Sequence, residues 1–291
     1  MKPVITVIGS INMDLITITD DFPQQGETVI GKSFETKPGG KGANQAVSAA
    51  RLGAQIQMVG KVGMDAFGTE MMAMFEREGI QADGVGQNPD TSTGIASITI
   101  SNNDNRIIVA PGANHTVDAA YITEFNEVIR TSDVVLIQFE LPLSAIMDAI
   151  DLCAAVGTPL IINPAPAAEL PDEYWLKAAY ITPNETEATK LFTDVDVSVL
   201  ERLQSKLIVT KGSSGVSYQE QLIPAYPVET LDTTGAGDAF NGALAVALAE
   251  GKDVYEAIRF ANGAAALAVQ KVGAQEGMPT RKELDAFLTG T

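Results

Sequence analysis

The densest chemistry in this sequence lies in Asp232-Thr233-Thr234-Gly235-Ala236-Gly237-Asp238-Ala239-Phe240-Asn241-Gly242. Two glycines precede Asp238, and an Ala/Leu-rich helical stretch that ends near Gly251 follows it. Glycines let a backbone approach a ligand closely, and a helix start offers unpaired N–H groups to an anion. An aspartate there can act as a base beside that anion. It can equally cap the helix, since Asp is a favoured N-cap, and the local pattern leaves both readings open. The motif is not a dinucleotide fingerprint: it lacks a third glycine in register and does not follow the first strand.

A second cluster is Pro38-Gly39-Gly40-Lys41-Gly42-Ala43-Asn44, which runs into a helical stretch from Gln45 to Leu52 stopped by Gly53. Glycines around a lysine make a flexible, donor-rich loop suited to an oxygen-rich ligand. A third is Asn184-Glu185-Thr186-Glu187, directly after a strand. Residues three apart at a helix start share a face, so the Asn184 amide and Glu187 carboxylate are spaced to orient metal-bound water near phosphates, or simply to cap the helix.

The scarce residues narrow the chemistry further. The 291-residue chain has one cysteine, Cys153, and one histidine, His115. That excludes an internal disulfide framework, CxxC metal sites and His-rich zinc sites, so acid–base chemistry falls to carboxylates. Cys153 lies in the apolar run Leu152 to Val156 and reads as a core thiol; His115 receives no catalytic role. Met71, Met72, Met74 and Trp175 read as packing residues. Lys and Arg number 19 against 37 Asp and Glu, a balance of −18 that disfavours nucleic acid and anionic membranes as partners. Hydrophobic residues at 45% and charged ones at 19% are a globular composition.

The elements that must position these residues form a repeated pattern of short apolar run, turn and Ala-rich helix. The runs are Val4–Ile8, Gln55–Val59, Asp133–Phe139, Leu160–Ile162, Tyr180–Thr182 and Lys206–Thr210. They read as strands buried on both faces and joined by parallel crossovers, an α/β doubly wound sheet that binds ligands beyond the carboxyl ends of its strands. Asn12, Asp14, Glu140, Asn184 and Glu187 fall at such ends. The β-rich segments 15–19 with 28–36, and 94–100 with 106–110, predict a small antiparallel sheet projecting from the main body. A hairpin loop is expected at Ser101-Asn102-Asn103-Asp104-Asn105. The Ala-rich stretches 238–250 and 257–270 predict tightly packed helices. Met1-Lys2-Pro3 followed by the short, mostly apolar segment Val4–Ile8 is too short for a signal sequence, and no run is long enough to span a membrane. A cytoplasmic protein is expected.

Taken together, these motifs resemble the ribokinase family of sugar kinases, the phosphofructokinase-B group, over essentially the whole chain. The resemblance rests on Gly9-Ser10-Ile11-Asn12-Met13-Asp14, Gly26-Glu27-Thr28 and Gly39-Gly40-Lys41-Gly42-Ala43-Asn44-Gln45-Ala46. It continues through Gly112-Ala113-Asn114, Asn163-Pro164-Ala165-Pro166 and Thr182 to Glu187. The Asp232 to Gly242 segment and Lys271-Val272-Gly273-Ala274-Gln275 complete it.

The resemblance implies a Rossmann-like three-layer α/β fold, doubly wound and mostly parallel, with a small projecting β-sheet lid inserted at about 13–36 and 92–111 of one 1–291 domain. It implies ATP-dependent phosphorylation of D-ribose at O5, with Asp238 as catalytic base and the N–H groups of Gly235, Ala236 and Gly237 as anion hole. Asn12, Asp14, Gly40, Lys41, Gly42, Ala43, Asn44 and Glu140 match sugar-binding positions. Asn184, Thr210, Lys211, Gly212, Ser213, Ser214, Gly215, Gly237 and Asn262 match nucleotide contacts. Glu187 matches the residue that acts on Mg2+ through water. An activating K+ would be held by the Asp232 side chain and backbone carbonyls near Thr234, Ala268, Lys271 and Gly273, with Gly277 standing where the family often has a serine. The stretch from Leu191 to Ser205 is shorter than in many relatives. A homodimer through the lid follows from the resemblance alone. The alternatives are a kinase for another sugar (deoxyribose, fructose) or a nucleoside, and a non-catalytic sugar-binding relative.

Overall fold

The computed structural model describes residues 2–102 and 104–290. Strand β1 (Val4–Ile8) leads out to β2 (Asn12–Ile18) and β3 (Ser33–Gly39), and helix α1 (Lys41–Arg51) returns the chain to β4 (Gln55–Gly63). Helix α2 (Ala66–Arg77), β5 (Gln81–Asn88) and the pair β6 (Gly94–Ser101) and β7 (Asp104–Ala110) follow. Helices α3 (Ala119–Glu124) and α4 (Asn126–Arg130) precede β8 (Val134–Gln138), α5 (Leu143–Val156), β9 (Leu160–Asn163), α6 (Asp172–Lys177) and β10 (Tyr180–Ile181). After α7 (Glu185–Phe192) and α8 (Val197–Leu203) come β11 (Ile208–Thr210), β12 (Val216–Tyr218) and β13 (Gln221–Ile223). Helices α9 (Ala236–Ala249), α10 (Val254–Ala268), α11 (Ala274–Gly277) and α12 (Arg281–Gly290) close the chain.

The main sheet has the order β10-β9-β8-β1-β4-β5, and every pair in it is parallel. Its alternating side chains feed two separate cores. Val134, Leu136 and Ile161 face α1, α2, α9, α10 and α12, whereas Val135, Ile137, Leu160 and Ile162 face α3 to α8. That two-sided burial explains why these strands read as continuous apolar runs and why the fold has three layers. The Ala-rich helices pack as expected, with α9 against both α1 and α10. Cys153 is buried, and burial pushes its thiol up to about 12. Trp175 stacks on Phe139 and meets Phe192 edge-on.

Several expectations are revised. The small sheet has the order β3-β2-β6-β7, and only its outer pairs are antiparallel; β2 and β6 run parallel in the middle. The cause is connectivity: the chain passes from β3 through α1, β4, α2 and β5 of the main body before it returns as β6. The hairpin loop closes between Ser101 and Asp104, and its Asn103 lies outside the described residues. Ile208–Thr210 forms an antiparallel sheet with β12 and β13, tied to β10 only by parallel bridges at Ile181–Leu207 and Asn184–Thr210. Strand β5 has no counterpart among the expected strands, because Gln81-Ala82-Asp83-Gly84-Val85-Gly86-Gln87-Asn88 is an edge strand with a single buried hydrophobic, Val85. Among the described residues no helix is long and apolar enough to cross a membrane.

Candidate active site

The direction of strand order reverses at β1: β4 and β5 extend to one side, β8, β9 and β10 to the other. The crevice beyond the carboxyl ends at such a reversal is where doubly wound sheets bind ligands. Here it gathers Ser10 and Asn12 after β1, Glu140 after β8, Asn163 ending β9 and Asn184 after β10. Helix α9 points its N-terminus into the same place. Gly235 caps it with φ 77°, a left-handed conformation, and a Cβ there would lie 2.8 Å from the Ala274 Cα.

Asp238 is therefore not the cap. It is the third residue of α9, and its side chain reaches α1 rather than its own backbone. Asn44 Nδ2 donates to Asp238 Oδ2 at 3.0 Å and Gln45 Nε2 donates to Asp238 Oδ1 at 3.0 Å. Only 8% of Asp238 is exposed. Burial raises its pKa, while Lys41 and the two amide donors work in the opposite direction. The capping reading fails, because the carboxylate is spent on neither the helix nor a salt bridge.

On one side of Asp238 lie the residues matched to sugar binding. Glu140 Oε2 accepts from Ser10 Oγ at 2.5 Å and from the Lys41 N–H at 3.2 Å. Asn12 Oδ1 accepts from Asn114 Nδ2 at 2.7 Å, and Asn114 also bonds the Ile11 backbone through both its amide atoms. Asp14 lies against the Cα of Gly39, and Ala43 N–H donates to the Ser10 carbonyl at 3.0 Å. Gly42 packs on Gly9, where a Cβ would come within 2.6 Å of the Gly9 carbonyl carbon. Gly40, the cap residue of α1, sits beside Asn12. Burial, followed by the charges of Glu140, Asp238 and Glu276, pushes the Asp14 carboxyl up to about 7. Lys41 is the cation in this group: burial opposes its charge, but Asp238, Glu140 and Glu187 outweigh that and raise its pKa.

On the other side is a cleft of about 140 Å³ lined by Lys41, Asn163, Thr182, Asn184, Glu187, Gly235, Gly237, Asp238 and Asn241. Of the three N–H groups expected as an anion hole, that of Ala236 donates to the Thr233 carbonyl at 3.2 Å within the turn. Asn184 and Glu187 form a reciprocal capping box on α7. Both nevertheless line the cleft, so capping and facing the cleft coexist. Burial raises the Glu187 pKa, offset in part by the Asn184 N–H and Lys41. Thr210 also lines the cleft, and Lys211 to Gly215 continue from β11 as an exposed short 3-10 turn bounded by buried Gly215. Asn262 is committed elsewhere: its Nδ2 donates to the carbonyls of Ile223 at 3.4 Å and Pro224 at 3.1 Å, which anchors the end of β13. A second, larger groove of about 490 Å³, lined by Glu201, Gln204, Gln219 and Glu220 among others, includes neither Asp238 nor Lys41 nor the glycine-rich segments.

The residues matched to a monovalent cation also come together. Asp232 accepts from the Thr234 N–H and Oγ1 at 2.9 and 2.6 Å and from the Gly273 N–H at 2.9 Å, and these bonds outweigh burial and lower its pKa. Gly277 lies against the Ala268 carbonyl so closely that a Cβ would collide with it. The Lys271 side chain turns away to Glu283 at 3.6 Å. Residues to which the sequence reading gave no site role include Ser10, Gln138 and Thr182. The available signal was polarity in the wrong place: Gln138 interrupts the apolar run from Val134 to Phe139.

The Asp14 shift has a measurable consequence. A carboxyl whose folded pKa is raised from 3.8 to about 7 stabilises the fold below the lower value, and that stabilisation disappears as pH rises through the higher one. Asp14→Asn should therefore gain melting temperature relative to the parent as pH rises across that interval, and hold a constant gain above it. A gain that is independent of pH would show that Asp14 is not strained by its surroundings.

The sequence matches the profile described as "pfkB family carbohydrate kinase" over residues 2–281. It is 49% identical to a ribokinase from Bacillus subtilis over 290 residues, covering 98% of this chain and 99% of that protein. The fold superposes on a ribokinase from Thermotoga maritima with TM-score 0.88, 35% identity and 99% of both chains covered. An Arabidopsis thaliana ribokinase complexed with ribose and ATP gives TM-score 0.90, 32% identity and again 99% of both chains. With a buried carboxylate at a helix start, the two glycine-rich segments beside it and full-length similarity of this degree, the chain belongs to the pfkB family of carbohydrate kinases.

Proposed function

We propose that this protein transfers the γ-phosphoryl group of ATP to O5 of D-ribose, giving D-ribose 5-phosphate and ADP. The observation that carries the reading is the position of Asp238, buried between a polyhydroxyl-compatible cluster and a cleft at a helix N-terminus. Asn12, Asp14, Asn44 and Glu140 supply amides and carboxylates for vicinal hydroxyls, and a sugar lacking them would leave buried polar groups unpaired. The similarity to ribokinases across the whole chain supports ribose as the acceptor.

In this mechanism Asp238 takes the O5 proton as the O5–phosphorus bond forms and the bond to the ADP oxygen breaks. Burial makes the carboxylate a stronger base, while Asn44, Gln45 and Lys41 keep it ionised. Gly235 and Gly237, at the start of α9, let the transferring group approach the helix N-terminus, where unpaired N–H groups and the helix dipole face its negative charge. Lys41 stands in both parts of the site and balances the carboxylates around it. Asn184, Thr210 and the 211–215 turn would hold the nucleotide, with Asn262 acting behind them by fixing the Ile223–Pro224 backbone.

ATP-dependent phosphoryl transfer uses Mg2+, which neutralises phosphate charge. Among the described residues no group of three His, Cys, Asp or Glu could hold a metal by itself, which fits an ion that arrives with ATP and keeps its waters. Glu187 would meet that water. An activating K+ would lie near Asp232 with the carbonyls of Thr234, Ala268, Lys271 and Gly273; the tight Gly277–Ala268 contact leaves no room for a side-chain ligand from position 277. The four-stranded sheet would act as a lid over the sugar. Its outer strand β7 is exposed along its whole length, with Ile108 at 73%, and supports pairing with a second copy of the chain. A cytoplasmic location fits the single, buried cysteine.

Asp238→Asn should lower kcat by roughly 10²-fold or more with sugar affinity largely retained, as removal of a general base predicts. In parallel, a panel of ribose, deoxyribose, fructose and nucleosides with ATP and Mg2+ should show the highest kcat/KM for ribose; a better acceptor in the panel replaces the assignment. Turnover should rise in KCl relative to NaCl, and equal rates in the two salts would remove the cation site. Ile108→Asp should shift the sedimentation profile from dimer toward monomer, whereas a monomeric parent protein would dispose of the lid interface.

A further inference from the structure

The Asp238 carboxylate is held by two chains of amides, and their polarity can be worked out from the centre. An ionised carboxylate only accepts, so the groups facing it must be the NH2 groups of Asn44 and Gln45. That turns the carbonyl oxygen of each amide outward, where it needs a donor. Gln275 Nε2 donates to Asn44 Oδ1 at 2.9 Å, and Gln138 Nε2 donates to Gln45 Oε1 at 2.7 Å. Gln45 Nε2 also donates to Asn163 Oδ1 at 3.0 Å, and Asn163 passes its own NH2 to the Thr182 carbonyl at 2.9 Å.

All of these side chains are buried, Gln45 and Gln138 completely. Buried amides are costly unless paired, and their alignment lets each bond strengthen the next. The outer Gln138 is held against Gly9 and leaves its Oε1 without a partner, so a core position that would accept an apolar side chain carries an amide at a cost. The outer Gln275 has its backbone carbonyl held by Arg51 of α1, and Arg51 is itself paired in a fork with Glu78.

We propose that Gln138, acting through Gln45, and Gln275, acting through Asn44, are positioning residues for phosphoryl transfer, each holding one oxygen of Asp238 so that its free lone pairs face the acceptor hydroxyl. The assignment rests on Asp238 being the base. The charged groups around that carboxylate are Lys41 from α1, Glu140 following β8 and Asp14 from β2, and neither glutamine alters any of them. Loss of an outer amide weakens the donor that holds the ionised form, so Asp238 takes up a proton at higher pH.

The test is kcat and sugar KM against pH for Gln138→Met and Gln275→Met, at saturating ATP, Mg2+ and KCl, with circular-dichroism melting to confirm folding. Both variants should move the acid limb of kcat upward by about half a pH unit or more, with a several-fold loss near pH 6 that largely recovers near pH 9. Gln275, at the margin of the site, supplies the answer if Gln138→Met does not fold. A uniform loss of kcat at all pH values, or acid limbs that coincide with the parent's, overturns the proposal, as does a parent profile with no acid limb down to about pH 5. Asp238→Asn measured alongside separates the two levels. If it keeps its turnover the base assignment itself fails; if it is inactive while the glutamine variants are unshifted, only the positioning role fails.

Discussion

A carboxylate with 8% of its surface exposed stays ionised only if donors and a cation surround it, and the architecture of this protein follows from supplying them to Asp238. The donors come from α1 and the carboxylate from α9, so the two helices must approach closely. Their facing residues are small for that reason. A Cβ on Gly242 would lie 2.6 Å from Ser48 Oγ, and Ser48 Oγ donates to the Ala239 carbonyl at 3.1 Å. The alanine-rich composition of these helices is the packing condition for this buried carboxylate, not a separate feature.

Charge is managed locally against an unfavourable total. Asp14, Glu140 and Asp238 interact across one site, and Lys41 is the cation that balances them. The result is a graded set of carboxyls: Asp14 is pushed up to about 7, Asp238 is raised by burial but held by amides, and Asp232, outside this group, is lowered by the N–H groups that it accepts. For a chain of net charge −18, the proposed nucleotide site relies on a helix N-terminus, a lysine and accompanying ions rather than on the overall field.

The doubly wound parallel sheet was legible because strands buried on both faces leave uninterrupted apolar runs, as in Val134 to Ile137; where its strand order reverses was not. Strand β5 was not, since an edge strand with one buried side chain leaves no such trace. Likewise, β-rich residues announced the strands of the small sheet, but the parallel pairing of β2 with β6 depends on where the chain travels between them, and no local pattern encodes that. Asn184 and Glu187 show a different limit. Their spacing correctly indicated a helix cap, yet the same spacing could not say that the cap faces a cleft.

From the sequence alone, the scarcity of histidine and cysteine pointed to carboxylate chemistry, and the glycine-framed Asp238 with the Gly39 to Asn44 loop marked a candidate residue and an oxygen-rich ligand. Tertiary structure decided whether Asp238 was a cap or a free carboxylate, because the distinction depends on α1 lying across the start of α9, and these segments are 193 and 194 residues apart at their hydrogen bonds. It also decided the meaning of Gln138 and Gln275. An isolated glutamine in a strand or a short helix is an ambiguous polar residue; only when both are placed behind the amides of Asn44 and Gln45 does their orientation follow from the charge at the centre.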